Sequence, residues 1–264
     1  MARFGPLGPV SSVASALGER VTRARAGYRS VDAPDGWAHT PTEALIVTTE
    51  DGPALHVEID APDTTSLSRR HLAGRTPTVV LVHGFALTMQ SWVLQRRALK
   101  HSGFRVVSYD QRGHGRSGMP DLERCTIAQL GRDLSAVMDA TCTTGPVVLV
   151  GHSMGGMTVM SYAGQHRDLV RDRVLAVALV STSPGGDEMT EFGLGATAGR
   201  VIGSFGPTVL SRLSRHAGPI GALRKMGRGV QDAVVQRWTF DSPVSAELVH
   251  LVGDMIFGTS FDVM

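Results

Sequence analysis

Gly151-His152-Ser153-Met154-Gly155 places a serine between two glycines, directly behind the apolar run Val147–Val150 and ahead of a helix-forming stretch. A strand that turns at once into a helix holds its apex residue in a strained backbone conformation and lifts that side chain above the sheet as a nucleophile. The small neighbours Gly151 and Gly155 suit a helix packed close against the strand. The positive end of that helix favours negative charge beside Ser153. A hydroxyl attacking an acyl carbon generates an oxyanion, and two backbone N–H groups must already be fixed to receive it. One is expected from Met154, the residue after the nucleophile. The other is expected from the turn His83-Gly84-Phe85 behind the run Thr78–Val82, where Phe85 holds the matching position. His83 and Gly84 support this turn, and His83 reads as a loop-ordering hydrogen-bonder rather than a general base.

A second glycine-rich run, Gly113-His114-Gly115-Arg116-Ser117-Gly118, matches G-x-G-x-x-G, with Asp133 20 residues after Gly113. A dinucleotide site would need a helix opening on this loop and the acid at the end of another strand. Met119-Pro120 interrupts any such helix, and Asp133 falls inside a helical pattern. The run therefore reads as a tight turn braced by Asp110 and Arg112 through hydrogen bonds and charge. A serine nucleophile also needs a histidine to take its proton and an acid to orient that histidine, in the chain order serine, acid, histidine for this motif. Downstream of Ser153 stand His166, His216 and His250. His166 is carried away on the helix that starts at the nucleophile, and the other two lie in a helical region. Each reads as a surface or packing histidine. Asp187 or Glu188 could supply the acid behind the strand 174–180, still with no matching histidine.

These residues need a scaffold of buried strands. The chain has 264 residues, 42% apolar and 19% charged, enough for one large domain, or one domain with an insertion, with a sizeable core. Ala44–Thr49 and the alternating Leu55, Val57 and Ile59 predict a hairpin closed at Asp51-Gly52, its second strand half-buried. Thr78–Val82 is a continuous apolar run, as a strand buried on both faces of a parallel sheet requires, and Phe104–Tyr109, Val147–Val150 and Val174–Val180 read as further strands. Helices are expected over Ser91–His101, Thr126–Ala140 and Gly155–His166. Ile127, Leu130, Leu134, Val137 and Met138 share one face of the second. The order is that of a mostly parallel α/β sheet with helices on both faces. Residues 187–264 read as short helices, among them Val209–Leu213, Val230–Trp238, and Pro243–Phe257 behind Asp241-Ser242. Residues 1–41 form a basic extension. Its first 30 residues hold Arg3, Arg20, Arg23, Arg25 and Arg29 against Glu19, and Val10, Val13, Leu17 and Val21 recur at helical spacing. That pattern leaves open a weak membrane-surface contact through residues 1–30 beside a packed or mobile tail. A net charge of +2 disfavours a nucleic-acid partner, and no run approaches the roughly 20 apolar residues that span a bilayer. Two cysteines, Cys125 and Cys142, cannot frame a disulfide scaffold, which fits a reducing cytoplasm.

With His83-Gly84-Phe85, Tyr109–Ser117 and Gly151–Gly156 in this order and spacing, residues 43–185 resemble the α/β-hydrolase fold superfamily. The nearest likeness is to its esterase, lipase and perhydrolase-like group with a helical cap. The resemblance implies Ser153 as nucleophile, an oxyanion hole from Phe85 and Met154, a core over 42–186 and a cap from 187. It implies a small-molecule acyl substrate and no metal or cofactor, and it leaves hydrolase, acyltransferase and perhydrolase chemistry open. In this family the acid and the histidine follow later strands. Thr259-Ser260 reads as the cap of a helix that ends at once at Phe261–Met264. The expectation is therefore a C-terminally truncated chain whose last strands and triad partners lie beyond residue 264, nearly inactive as residues 1–264. The strand 174–180 would then be a bare sheet edge. The rival expectation is a non-catalytic scaffold.

Overall fold

Asp51-Gly52 closes the first hairpin, with Gly52 at φ 108°, a conformation that suits glycine. The hairpin joins β1 (Glu43–Thr48) to β2 (Ala54–Asp60), paired antiparallel with Leu45 opposite Val57. The computed structural model describes residues 36–63, 76–119, 121–184, 228–240 and 244–259. The N-terminal helix expected from Val10 to Val21, the helix Val209–Leu213, the alternatives Asp187, Glu188 and His216, and the segment Phe261–Met264 lie outside these residues.

β3 (Thr78–Val82), β4 (Arg105–Tyr109), β5 (Val147–His152) and β6 (Val174–Val180) run parallel, and the sheet order is β1-β2-β4-β3-β5-β6. Branched residues fill the central strands, and Val80, Val82, Val107 and Leu149 are fully buried. Helix α1 (Val93–His101) follows a 3-10 turn at Met89–Trp92 rather than starting at Ser91. Trp92 packs with Val79, Leu81, Phe104 and Val106 on one sheet face. Helices α2 (Ile127–Thr141) and α3 (Met154–Gln165) carry Leu134, Val137, Val159 and Tyr162 against the other face. Thr126 caps α2 by accepting from the Gln129 N–H. Ile127, expected on the apolar stripe, is instead 38% exposed.

β3 and β5 lie side by side, and the connections that leave them run to opposite sides, β3 to β4 and β5 to β6. Such a switch point opens a crevice at the C-terminal ends of the two strands. His83-Phe85 and Ser153 both begin there.

Three elements differ from the sequence expectation. A short helix α4 (Arg167–Arg173) precedes β6 and has no buried residue, so it carries no apolar period by which to be recognised. After α5 (Arg228–Thr239), helix α6 spans Ala246–Gly258, starting later than the expected Pro243, with Ser245 as its cap, whose hydroxyl accepts from the Leu248 N–H. At the end of α6 the Thr259 hydroxyl donates back to the Met255 carbonyl. The outer face of β2 is not half-solvated either: Glu58 and Asp60 are buried under Arg96 of α1. Among the described residues β6 is a sheet edge, with Val177, Leu179 and Val180 exposed. No described helix is long and apolar enough to cross a membrane.

Candidate active site

Ser153 stands between β5 and α3 with φ 51° and ψ −119°. A serine at a helix N-terminus ordinarily accepts an N–H of the first turn with its side chain. Here the backbone is turned away from the capping conformation, and the Ser153 side chain makes no cap bond. The apex is held by its main chain instead. The Ser153 N–H donates to the Val180 carbonyl at 3.0 Å, and its carbonyl accepts from the Thr182 hydroxyl at 2.7 Å and the Gly156 N–H at 2.9 Å. The glycines are required by contact. A Cβ on Gly155 would lie 2.3 Å from the Val82 carbonyl oxygen, and one on Gly151 would lie 2.4 Å from the Gly155 carbonyl oxygen. Helix α3 therefore sits on the end of β3, the strand that leads into His83.

Ala86, Ser153 and Ser181 are the non-glycine residues at positive φ among those described. All three follow the C-terminal ends of adjacent parallel strands β3, β5 and β6. Strain of this kind costs roughly 1–3 kcal/mol per residue and gathers where function needs a fixed geometry. Neither Ala86 nor Ser181 is recognisable in the sequence, because nothing but a glycine or asparagine advertises such a backbone.

The loop after β3 is built from buried polar groups. His83 Nδ1 bonds the Gly84 carbonyl at 2.7 Å, and His83 Nε2 accepts from the Gln111 N–H at 2.9 Å. His83 is fully buried, and burial, with His114 and His152 nearby, lowers its pKa to about 3. A ring so held is a neutral hydrogen-bonder with both nitrogens engaged. His114 accepts the Ala86 N–H on Nε2 at 3.2 Å and bonds the Arg112 carbonyl through Nδ1 at 2.9 Å. Its pKa is also lowered by burial. Phe85 is half-exposed, with its ring edge-on to His114. Gly84 has no room for a Cβ, which would meet His152 Nδ1 at 2.8 Å. Among the described residues, neither the Phe85 N–H nor the Met154 N–H has a hydrogen-bond acceptor.

Asp110 and Arg112 lie behind this rim. The Asp110 carboxylate accepts from the Met89 N–H at 2.8 Å and the Arg116 N–H at 2.9 Å, and burial raises its pKa against those bonds. The glycine-rich run wraps around it, with Gly113 at φ 74° and Gly115 at φ 53°. Arg112 grips Asp133 of α2 through two bonds of 2.6 Å and Asp51 of the hairpin through bonds of 2.8 and 2.9 Å. Asp133 is thus committed to an ion pair inside a helix. Of the histidines downstream of Ser153, His166 packs its ring on Tyr162 at the far end of α3, and His250 bonds Asp232 at 2.8 Å between α5 and α6. Neither is hydrogen-bonded to Ser153. Among the described residues no group of three His, Cys, Asp or Glu side chains could hold a metal ion.

Residues 77–227, more than half the chain, match the family described as alpha/beta hydrolase fold, and the protein belongs to that family. A non-heme haloperoxidase from Rhodococcus erythropolis is 26% identical over 204 residues, covering 75% of this chain and 72% of its own. A bifunctional esterase/perhydrolase from Acinetobacter calcoaceticus is 27% identical over 186 residues, covering 69% of this chain and 66% of its own, so this chain spans about two thirds of that relative. Among solved structures, the enol-lactonase from Burkholderia xenovorans LB400 superposes with a TM-score of 0.57 at 28% identity, covering 83% of this chain and 70% of that one.

Proposed function

We propose that the protein is a serine hydrolase that cleaves a carboxylic ester or related small acyl compound through an acyl-enzyme on Ser153. The observation that carries this reading is the Ser153 hydroxyl. It is released from capping by a positive φ and follows β5 at the switch point, and among the described residues the N–H groups of Phe85 and Met154 have no acceptor. In the reaction the hydroxyl oxygen attacks the acyl carbon as its proton passes to a histidine base. The N–H groups of Phe85 and Met154 hold the oxyanion. Collapse expels the alcohol, which takes that proton, and water then attacks the acyl carbon and frees Ser153. His83 is not the base, because both ring nitrogens are spent on the loop. Neither His166, stacked on Tyr162, nor His250 is hydrogen-bonded to Ser153, so the base is sought elsewhere, and the family resemblance puts it behind a later strand. A relative named as an esterase/perhydrolase and a structural neighbour named as an enol-lactonase support acyl chemistry. The intact protein is expected to hydrolyse short-chain p-nitrophenyl esters, and Ser153→Ala to lose about 10³-fold or more of kcat. Turnover unchanged in Ser153→Ala would exclude this nucleophile, and inert wild-type protein would favour a scaffold without catalysis.

A further inference from the structure

A peptide unit is planar and trans, so the carbonyl of residue 84 and the N–H of residue 85 point in opposite directions. The Gly84 carbonyl is pinned by His83 Nδ1 at 2.7 Å and by the Leu87 N–H at 3.3 Å. Whatever fixes His83 therefore aims the Phe85 N–H. Gln111 does this twice. Its backbone N–H occupies His83 Nε2, which leaves the ring proton on Nδ1 to donate to Gly84. Its side-chain NH2 donates to the His83 carbonyl at 2.7 Å. The amide cannot be reversed, since that would set its oxygen against a carbonyl oxygen. Its Oε1 accepts from the Thr158 hydroxyl at 2.7 Å, and Thr158 lies on α3, the helix that starts at the nucleophile. His83, Gln111 and Thr158 are all completely buried. Burying such groups costs free energy that apolar packing would not, and a fully satisfied network of this kind fixes one geometry.

We propose that Gln111 is a positioning residue for the oxyanion hole: it ties the loop carrying the Phe85 N–H, through His83, to the nucleophile helix, through Thr158. The proposal rests on the serine-hydrolase reading and assigns Gln111 and Thr158 no contact with substrate. The bond from Ala86 N–H to His114 steadies the same loop from its other side.

An oxyanion donor acts on the transition state far more than on bound substrate, so misaiming it lowers kcat and leaves KM in place. The test compares wild type, Ser153→Ala, Gln111→Met, Thr158→Val and Thr158→Ser of the intact protein on a p-nitrophenyl ester. Rates are taken per active site titrated with a fluorophosphonate, so that unfolded protein is not counted. Gln111→Met and Thr158→Val are expected to lose about 10- to 100-fold in kcat with KM within about twofold. Thr158→Ser, which keeps the hydroxyl, is expected to restore the wild-type rate. Should Gln111→Met fail to fold, the Thr158 pair decides. Wild-type kcat in Gln111→Met and Thr158→Val, a change confined to KM, or equal losses in Thr158→Val and Thr158→Ser would overturn the proposal while leaving the hydrolase reading intact. Wild-type protein without Ser153-dependent turnover would instead remove the reading on which the proposal stands.

Discussion

A single methyl group separates the two kinds of glycine on helix α3. At Gly155 a Cβ would meet backbone oxygens of Val82 and His83 at 2.3 and 2.6 Å, atoms that cannot move without displacing the loop that carries Phe85. At Gly164, near the end of the same helix, the space is open. Gly155→Ala is expected to destabilise the fold by about 3 kcal/mol in urea denaturation, whereas Gly164→Ala is neutral or stabilises by up to about 1 kcal/mol. Equal effects at the two positions would contradict the close approach. Ser153 and its glycines were legible in the sequence because the elbow demands small residues at fixed spacing. The supports His83, Asp110 and Arg112 were legible too, but two others were not. Thr182 holds the Ser153 carbonyl and His114 holds the Ala86 N–H from 29 and 28 residues away. No local pattern marks a residue that acts across strands.

At the scale of elements, alternation along β2 told which residues face the core but not what covers the other side. Arg96 reaches from α1 to Glu58 at 2.7 Å and Asp60 at 2.8 Å, and all three side chains are at most 5% exposed. Arg116 and His39 add partners to the two acids. These ion pairs dock the antiparallel hairpin and α1 onto one another. Arg96→Met removes the shared partner and strands two buried carboxylates. A loss towards the lower end of about 3–5 kcal/mol is expected, because Arg116 and His39 remain. Arg228→Met, breaking an exposed pair with Asp254, should leave the denaturation midpoint almost unchanged. The parallel strands were readable as mainly apolar stretches, but their order in the sheet was not. The polar helix α4 and the start of α6 were not, since neither carries an apolar period at its boundary.

The whole molecule should weaken in acid, and histidines begin the loss. Burial lowers the pKa of His83 to about 3 and depresses those of His114 and His152 below the ordinary 6.5. As pH falls below 6.5 the unfolded chain takes up protons that the folded chain refuses. Stability is therefore fully present above 6.5 and drains away toward pH 3. Asp51, held low by its bonds to Arg112, adds a loss below its ordinary 3.8, and Glu58 and Asp60, held low by their arginine and histidine partners against burial, extend it. Urea midpoints measured from pH 8 to pH 4 should fall steadily from about 6.5 downward, and a flat profile to pH 5 would contradict the buried neutral histidines. The central claim, that Ser153 is the nucleophile of an acyl-transfer site, is tested most directly by trapping. Intact protein is incubated with a fluorophosphonate, its mass is measured, and the modified peptide is sequenced. The account predicts one phosphonyl group per chain, attached to Ser153, and none in Ser153→Ala. Unmodified wild-type protein, or a label carried by any other residue, would contradict it.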